Sequence, residues 1–465
     1  MKILLLKGYA SIPNIAIDFP IGLLYLSAYL KKYLNDKIQI KFIDLRFKKK
    51  ISYLNKSLKE FKPDIIGISM LAYEYPLLDD YCKAIKAYNS KASIITGGPY
   101  ATYNYEDILT RYPVDMVVIG EGEKTFLNII VNKLNNKDCF NIKGIAYYNG
   151  KKVICNERQN YIENINEIPV PDYSIVDLKS YWSCKHNQMN FLLANKNYMP
   201  IISSRACPFN CCYCHNIFGK KFRPRSPENF FEEIKLLYYK YNVREFHIID
   251  DIFNLDRKRM YDILNLIINS NMKIKLAFPN ALRGDLLNHE DILLLKKAGA
   301  YMITVSVESA SERVQKQINK NLNIKKIASN IEYASQIGLI TKGYFMIGFP
   351  GESIKEIKKT IRFALNSKLD MASFFVVVPY KGTVLWDLVC KIKPDFKYNI
   401  FTSFWDKKTL YQELTGYNLN KLQIKAYMRF YTPKRLLMLF SKIKLPLYTA
   451  KRFFITGIKL SFNLC

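Results

Sequence analysis

The chain has 465 residues with a net charge of +30, and 49% of its residues are hydrophobic. This composition excludes an intrinsically disordered protein, and roughly 150 residues per domain implies two to four domains. The positive charge comes mostly from lysines spread along the chain, which disfavours nucleic-acid binding. No apolar stretch has the length of a transmembrane helix, and the opening MKILLLKG is typical of a buried strand rather than a signal peptide. We therefore expect a cytoplasmic protein.

Residues 1–140 alternate short apolar runs with amphipathic segments, a pattern that predicts a Rossmann-like, doubly wound parallel sheet. Predicted helices include 21–34 and 123–134, and the predicted strands are 2–6, 38–43, 64–69, 92–98 and 115–120. Ligands of such sheets bind at the carboxyl ends of the strands. The residues at these ends include Ser69, Leu71, Gly97, Gly98, Gly120, Glu121 and Gly122.

Residues 141–195 are predicted to form a hairpin and a linker. Asn149 and Gly150 separate two strand-like runs within 143–154, which predicts a β-hairpin, and the proline-punctuated stretch 167–178 predicts a connecting segment.

Residues 196–385 return to the alternating pattern. The predicted strands are 200–204, 245–250, 274–279, 302–308, 342–350 and 372–379. Six such βα units predict a (β/α)6 partial TIM barrel, whose active site would lie at the carboxyl ends of its strands. The cysteine-rich stretch 203–216 follows the first of these strands.

Residues 386–465 are predicted to form a basic, mainly helical C-terminal region. The segment 391–465 holds 15 Lys and Arg residues against three Asp and Glu residues. Three interpretations stay open for it: a solvated helical cap, a lid over an acidic or phosphorylated substrate, or a peripheral membrane contact.

Four cysteines stand within eight positions of the stretch SSRACPFNCCYCHN. Cys207, Cys211 and Cys214 have the spacing C-x3-C-x2-C, which lets three thiolates bind three irons of a 4Fe–4S cluster and leaves one iron open. Structural zinc is the alternative, but it usually takes two pairs of ligands, and no second pair follows. We interpret Cys212 as a packing residue.

With the aromatic Tyr213 before the last cysteine, this stretch resembles the motif of the radical SAM superfamily. The resemblance implies that the open iron binds S-adenosylmethionine (SAM), which one electron cleaves to a 5′-deoxyadenosyl radical. It also implies roles for residues at later strand ends. Asp250 and Asp251 would bind the SAM amino group, Ser306 and Glu308 the ribose, Gly348 the adenine, and Arg283 the SAM carboxylate.

A Rossmann-like sheet before a radical SAM barrel resembles the cobalamin-binding radical SAM enzymes. Ser69 to Leu71 match the S-x-L element of that family, Gly97 and Gly98 the GG element, and Gly120 to Gly122 a further family element. The family's D-x-H-x-x-G element, which supplies a histidine to cobalt, is absent. That position reads Lys7 to Ile12, and residues 1–185 contain no histidine. The resemblance therefore implies cobalamin without a histidine ligand from its own domain, or a domain that has lost the cofactor.

The resemblance implies methyl transfer to an unactivated carbon or phosphorus centre of a small or lipid-like substrate. One SAM would methylate cobalamin and a second would provide the radical, with electrons from a partner such as ferredoxin or flavodoxin. Cyclisation or rearrangement by the same family is an alternative. A tRNA methylthiotransferase is a rival, but its second cluster needs three N-terminal cysteines, and Cys82, Cys139, Cys155 and Cys184 are widely spaced. A non-enzymatic cluster-, cobalamin- or nucleic-acid-binding protein is the other rival.

Overall fold

The computed structural model of the chain describes residues 1–9, 17–184, 192–396 and 415–442. The chain divides into two compact units: Met1–Gln188 with Ile217–Gly219, and Met189–Asn216 with Lys220–Cys465. Part of the sequence element Lys7 to Ile12, namely Ala10 to Ile12, lies outside the described residues, and so does the basic segment 443–465.

The first unit is built on a seven-stranded sheet. Its strand order is β2-β1-β3-β4-β5-β6-β7, in which β1 to β5 are parallel and the last two pairings are antiparallel. The α/β class and the parallel sheet predicted from the sequence are thereby confirmed. The strands are β1 Lys2–Lys7, β2 Gln39–Asp44, β3 Ile65–Ser69, β4 Ser93–Gly97, β5 Met116–Val118, β6 Ile145–Tyr148 and β7 Val153–Cys155.

Helices cover both faces of this sheet. Because side chains alternate along a strand, Leu4 and Leu6 enter one buried cluster while Ile3 and Leu5 enter another. The predicted hairpin is confirmed: β6 and β7 pair across Asn149 and Gly150. The helices of this unit are α1 Ile21–Leu34, α2 Ile51–Phe61, α3 Leu78–Tyr88, α4 Pro99–Arg111, α5 Gly122–Leu134 and α6 Leu178–Ser183.

The second unit contains two three-stranded parallel sheets, β12-β11-β8 and β13-β14-β15. Parallel bridges from Leu276 to Ala300 and from Leu282 to Val305 lie between β12 and β13, so six parallel strands follow one another. A short antiparallel pair, β9 and β10, stands apart. The strands are β8 Tyr198–Ile201, β9 Ser204–Arg205, β10 Arg223–Pro224, β11 Glu245–Ile248, β12 Lys275–Ala277, β13 Met302–Glu308, β14 Ile340–Ile347 and β15 Met371–Val376.

Helices follow most of these strands and pack on one face of β13 to β15. Val305, Phe345 and Phe374 join the buried cluster on that face. The helices are α7 Pro227–Tyr241, α8 Arg257–Asn269, α9 His289–Lys297, α10 Glu312–Gln317, α11 Ile324–Gln336, α12 Ile354–Asn366, α13 Val384–Ile392, α14 Leu419–Phe430 and α15 Pro433–Lys442. No helix within the described ranges is long and apolar enough to cross a membrane.

The helix α14, from the basic C-terminal region, completes the edge of the second sheet. Its Leu419 and Phe430 are buried in the same cluster as the strands. The Tyr427 hydroxyl accepts a hydrogen bond from the Phe374 amide at 3.0 Å, and the Tyr431 hydroxyl donates to the Ala372 carbonyl at 2.9 Å. These bonds satisfy backbone groups that an edge strand would otherwise expose. Within its described part, the C-terminal region is therefore an integral element of the second unit.

Several strands are shorter than predicted, and two of these boundaries have a clear local reason. The strand predicted at 342–350 ends at Ile347 because Gly348 has a φ of +95°, which breaks the extended backbone. The strand predicted at 200–204 is Tyr198–Ile201, and Ser204 instead pairs antiparallel with Pro224 in β9 and β10.

Candidate active site

The three cysteines with iron-ligand spacing lie in the loop between β9 and β10. Cys207 and Cys211 are half-buried and Cys214 is exposed. The Cys214 amide donates to the Cys211 carbonyl at 3.1 Å, which closes a turn between the last two thiols. Burial raises the pKa of the Cys207 thiol, and the neighbouring Asp251 and Cys211 act in the same direction. The thiols therefore gather at one place beside Asp251.

Cys212 lies in a different environment from the other three cysteines of the loop. Its amide donates to the Ile318 carbonyl at 3.0 Å, and its carbonyl accepts from the Leu385 amide at 2.8 Å. Its side chain packs against the buried cluster that includes Val314 and Phe349. These contacts account for Cys212 as a packing residue.

The thiol arrangement fits a cluster better than a single ion. Among the residues that the structure describes, no three His, Cys, Asp or Glu side chains converge tightly enough to hold one metal ion. Zinc would need its ligands around one point, at about 2.3 Å for each sulfur. A 4Fe–4S cluster binds each thiolate to a different iron, so the three sulfurs stay apart from one another.

Asp250 and Asp251 have different environments although they are adjacent. The Asp250 carboxylate is buried and accepts hydrogen bonds from the Ser203 amide at 2.7 Å and from the Ser204 hydroxyl at 2.6 Å. Burial raises its pKa, against the lowering effect of Arg259 and these donors. Asp251 is exposed, accepts from the Ala206 amide and lies near the cysteine loop. Asp251 is therefore the carboxylate available to a ligand.

Glu308 ends β13 in an unusual backbone conformation and connects this strand to the cysteine loop. The pairing with β14 shifts register between Ser306 and Glu308, and Glu308 has a φ of +60°. A bulge and a left-handed non-glycine residue at a strand end are costly features that are common at functional sites. The Tyr213 hydroxyl donates to Glu308 Oε1 at 3.2 Å.

Lys320 completes this cluster, although it was not predicted from the sequence. Its Nζ lies 3.0 Å from Ser306 Oγ, 3.1 Å from the Tyr213 hydroxyl and 3.4 Å from Glu308 Oε1. It follows α10 in a segment rich in Lys and Asn, so nothing in the local sequence marks it as a site residue. Only the fold places it beside residues that follow different strands.

Arg283 braces the cysteine loop. Its guanidinium lies 3.7 Å from the centroid of the Phe209 ring, which stands inside the loop, and donates to Asp285 at 3.2 Å and to the Lys320 carbonyl at 2.9 Å. A guanidinium stacked on an aromatic face holds that ring in place. These contacts occupy Arg283 with other protein groups.

Gly348 follows β14 at a position where a side chain would not fit. A Cβ there would lie 2.3 Å from Leu419 Cδ1, and the φ of +95° also favours glycine. Its amide donates to Glu352 Oε2 at 2.7 Å. Burial raises the pKa of Glu352 to about 7 despite that bond. Glu352 was not predicted from the sequence as a site residue.

In the first unit, Ser69, Gly97 and Gly98 meet where β3 and β4 end. The Met70 amide donates to the Gly97 carbonyl at 3.0 Å. Gly98 has a φ of +92°, and a Cβ there would lie 3.1 Å from the Met70 carbonyl oxygen. The packing of these two strand ends therefore requires glycine at 98. Leu71 continues the same edge, where its amide donates to Glu74 at 2.8 Å.

Gly120 to Gly122 lie between β5 and α5. Gly120 has a φ of +78°, and its amide donates to Thr102 Oγ1 at 3.1 Å. Glu121 is buried and accepts from the Ile162 amide at 3.3 Å, and Gly122 begins α5. The structure thus gives Gly120 and Glu121 local contacts within this unit.

Buried charges, not predicted from the sequence, also occupy this edge of the sheet. Lys7 Nζ, at the end of β1, lies 2.7 Å from Glu74 Oε2, just past the end of β3. The strand order reverses between β1 and β3, which is where doubly wound sheets bind ligands. Glu74 Oε1 and Thr96 Oγ1 are buried without a hydrogen-bond partner among the described residues. Unpaired polar oxygens at this crevice fit a ligand rich in hydrogen-bond donors, as the amide-bearing cobalamin is.

Comparisons with known proteins follow the same two-part division. The family model of the radical SAM superfamily matches residues 201–364, and that of the B12 binding domain matches residues 17–130. An uncharacterized methyltransferase of Pyrococcus horikoshii is 31% identical over 431 residues, which cover 90% of this chain and 89% of that protein. The chain belongs to the cobalamin-binding radical SAM family.

This cobalamin-binding radical SAM enzyme is also similar to two further proteins. A cytidylyl-2-hydroxyethylphosphonate methyltransferase of Streptomyces wedmorensis is 27% identical over 416 residues, 79% of this chain and 77% of that protein. The solved structure of OxsB, a cobalamin-dependent S-adenosylmethionine radical enzyme, has a TM-score of 0.76 at 18% identity and covers 95% of this chain and 70% of its own. At that identity, the structural similarity shows the shared fold.

The family, the methylation activity and the cofactors predicted from the sequence are confirmed. The enzyme catalyses cobalamin-dependent radical SAM methylation, and its cofactors are a 4Fe–4S cluster, SAM and cobalamin. Cyclisation or rearrangement, the alternative from the sequence, is not favoured by these matches.

Proposed function

We propose that the enzyme methylates an unactivated carbon or phosphorus centre of a small organic substrate, at the carboxyl ends of the six parallel strands of the second unit. One observation supports this location of the active site. Tyr213, inside the cysteine loop, is hydrogen-bonded to Glu308 at the end of β13. The loop with the three thiols therefore lies over the strand ends, where barrel enzymes act. We infer that these strands form the partial (β/α)6 barrel predicted from the sequence.

Cys207, Cys211 and Cys214 would hold the cluster, and the neighbouring residues would bind SAM. When bound, the cluster and cobalamin supply the electron that cleaves SAM and the carrier for the methyl group. We assign the SAM amino group to Asp251, because its carboxylate is exposed beside the thiols. Asp250 and Arg283 are positioning residues. Asp250 accepts hydrogen bonds from Ser203 and Ser204, and the Arg283 guanidinium stacks on the Phe209 ring.

Ser306, Glu308 and Lys320 form the polar part of the SAM site. Lys320 holds the Ser306 hydroxyl and the Glu308 carboxylate on one side of the strand end, where both can accept hydrogen bonds from a ribose. Gly348 would lie beside the adenine. In the first unit, the ends of β3 and β4 around Ser69, Leu71, Gly97 and Gly98 would hold cobalamin, with Gly120 to Gly122 completing that edge.

The substrate and partners follow from the same chemistry. Similarity to a methyltransferase of a cytidylyl phosphonate supports a small anionic substrate. The cluster needs electrons from a low-potential donor such as ferredoxin or flavodoxin, and free thiols fit a reducing cytoplasm.

Paired cysteine variants test the cluster assignment. The proteins are reconstituted anaerobically with iron and sulfide, and cluster absorbance and 5′-deoxyadenosine formation from SAM and dithionite are measured. Cys211→Ser should lose both signals, whereas Cys212→Ser, which removes the packing thiol of the next residue in the same loop, should keep both. Deoxyadenosine formation by Cys211→Ser at the wild-type rate would overturn the assignment.

A separate assay tests methyl transfer. Wild-type protein with hydroxocobalamin is incubated with SAM labelled in its methyl group and a panel of small phosphonates and carboxylates. Mass spectrometry should find the label in one of these compounds. Deoxyadenosine formation with no labelled product across the panel would refute an anionic substrate of this size.

A further inference from the structure

Lys342 is a buried lysine inside the second unit, in the middle of β14. Its side chain alternates with Gly343 and Phe345, and Phe345 packs against the covering helices. Lys342 therefore lies on the opposite face, together with Tyr344 and Met346. The residue is only 3% exposed.

The ammonium of Lys342 has no acceptor among the described residues. The residue facing it on β13 is Thr304, and the one facing it on β15 is Met371, so neither neighbouring strand supplies a carboxylate. Its Nζ lies 4.9 Å from the centroid of the Tyr344 ring. Burial lowers the pKa of Lys342 to about 8, and no nearby charge opposes this effect. A buried cation without a partner is costly, and proteins seldom retain one without a use.

The Thr304 hydroxyl is a second polar group without a hydrogen-bond partner among the described residues, and it lies beside Lys342 on the neighbouring strand. Thr304 pairs with Lys342 in the register of β13 and β14, and its Oγ1 is buried. Neighbouring strands lie about 4.8 Å apart, so the hydroxyl and the base of the lysine side chain are adjacent. A hydroxyl donor and an ammonium donor on adjacent strands match the oxygens of one anionic group.

The surroundings of this position are apolar toward the amino ends of the strands and partly exposed aromatic toward their carboxyl ends. Toward the amino ends of the strands, Met302, Ile340 and Leu439 form an apolar cluster below Lys342. Toward the carboxyl ends, Tyr344 is half-buried and Phe375, packed edge-on against it, is 42% exposed. The Tyr344 ring belongs to the next layer toward the carboxyl ends, so an Nζ beside it is directed toward the mouth of the strands.

We propose that Lys342 and Thr304 form an oxyanion-binding recess for the substrate, holding its carboxylate or phosphoryl group below the SAM site. The proposal rests on the proposed function and names its substrate class: a small molecule with one terminal anionic group. A partly aromatic wall of Tyr344 and Phe375 would pack against the rest of the molecule. Binding there would place the part of the substrate furthest from the anion near Ser306 and Glu308.

Thermal unfolding with defined anions tests the recess. The cluster-reconstituted protein is unfolded in sodium phosphate, in sodium methylphosphonate and in sodium acetate, each against sodium chloride at equal ionic strength. At about ten times its Kd, one of the three oxyanions should raise the unfolding midpoint by roughly 3 °C. Lys342→Met should abolish this rise, and Thr304→Val should reduce it.

Two control measurements distinguish anion binding at the recess from indirect effects of the Lys342→Met substitution. Lys359→Met, which removes an exposed lysine from α12, should keep the full anion-induced rise. SAM affinity, measured by equilibrium dialysis, should be unchanged in Lys342→Met, because the anion is the substrate's and not that of SAM. A rise of equal size in wild type and Lys342→Met, no rise with any of the three oxyanions, or a tenfold loss of SAM affinity in Lys342→Met would each overturn the proposal.

Combined with the methyl-transfer assay, these measurements distinguish a failure of the recess from a failure of the proposed function. If no panel compound is methylated but the anion-induced rise depends on Lys342, the recess is supported and the proposed reaction is refuted. If a phosphonate or carboxylate is methylated equally well by wild type and Lys342→Met, the reaction is supported and the recess is refuted.

Discussion

The charge of Lys342 is expected to destabilise the ligand-free protein, in a way that depends on pH. Lys342→Met keeps the shape of the side chain and removes the ammonium. A pKa that falls from 10.5 to about 8 on folding corresponds to about 3 kcal/mol at neutral pH. Between these two values the unfolded chain binds more protons than the folded one, so the wild-type protein gains stability as pH rises. The Met variant has no such gain.

Urea unfolding of the two proteins at about pH 7 and about pH 10 measures this effect. At the lower pH the Met variant should be the more stable, and its advantage should shrink by roughly 2 to 3 kcal/mol at the higher pH. Taking the difference between the proteins cancels the titration of all other groups, and Lys359→Met should show no such pH dependence. An equal stability difference at both pH values, or a wild type that is the more stable protein at neutral pH, would contradict a destabilising charge on Lys342.

Three further perturbations test other parts of the structure. Lys320→Met should weaken SAM binding about tenfold in equilibrium dialysis, because it frees Glu308 and Ser306; unchanged affinity would remove Lys320 from the site. Gly348→Ala should lower the free energy of unfolding in urea by roughly 3 kcal/mol, because the added Cβ clashes with Leu419. Gly351→Ala is the control: its φ is +73° but no atom lies within 4 Å of its Cβ, so it should cost only about 1 kcal/mol. Equal losses in the two variants would refute the clash. Glu74→Gln should lower the free energy of unfolding by about 3 kcal/mol, because it leaves the buried Lys7 charge unpaired. Adding Lys7→Met should restore most of this loss, since removing the whole pair costs less than leaving one charge unpaired. Additive losses in the double variant would contradict this.

The sequence by itself determined the class of the fold and the identity of the enzyme family. Alternation of apolar runs with amphipathic segments is a local property, so it predicts the parallel strands of both units within a few residues. The spacing of Cys207, Cys211 and Cys214 is local as well, because three ligands on one short loop need no other part of the chain to set their order. The glycine at 98 is also readable, since a tight strand end excludes a side chain there.

Tertiary structure decided which residues share a site and which way each one faces. Tyr213 and Glu308 are 95 positions apart, and Lys7 and Glu74 are 67 positions apart, so no local pattern connects them. Asp250 and Asp251 look equivalent in sequence, but the loop after β11 buries Asp250 against serines and exposes Asp251. From the sequence alone, Lys342 is an ordinary lysine of a predicted strand. The strand register shows that it lies opposite Thr304 and Met371, which offer it no carboxylate. The physical reason is the same in each case: burial and pairing depend on neighbouring strands, which the sequence of a single strand does not contain.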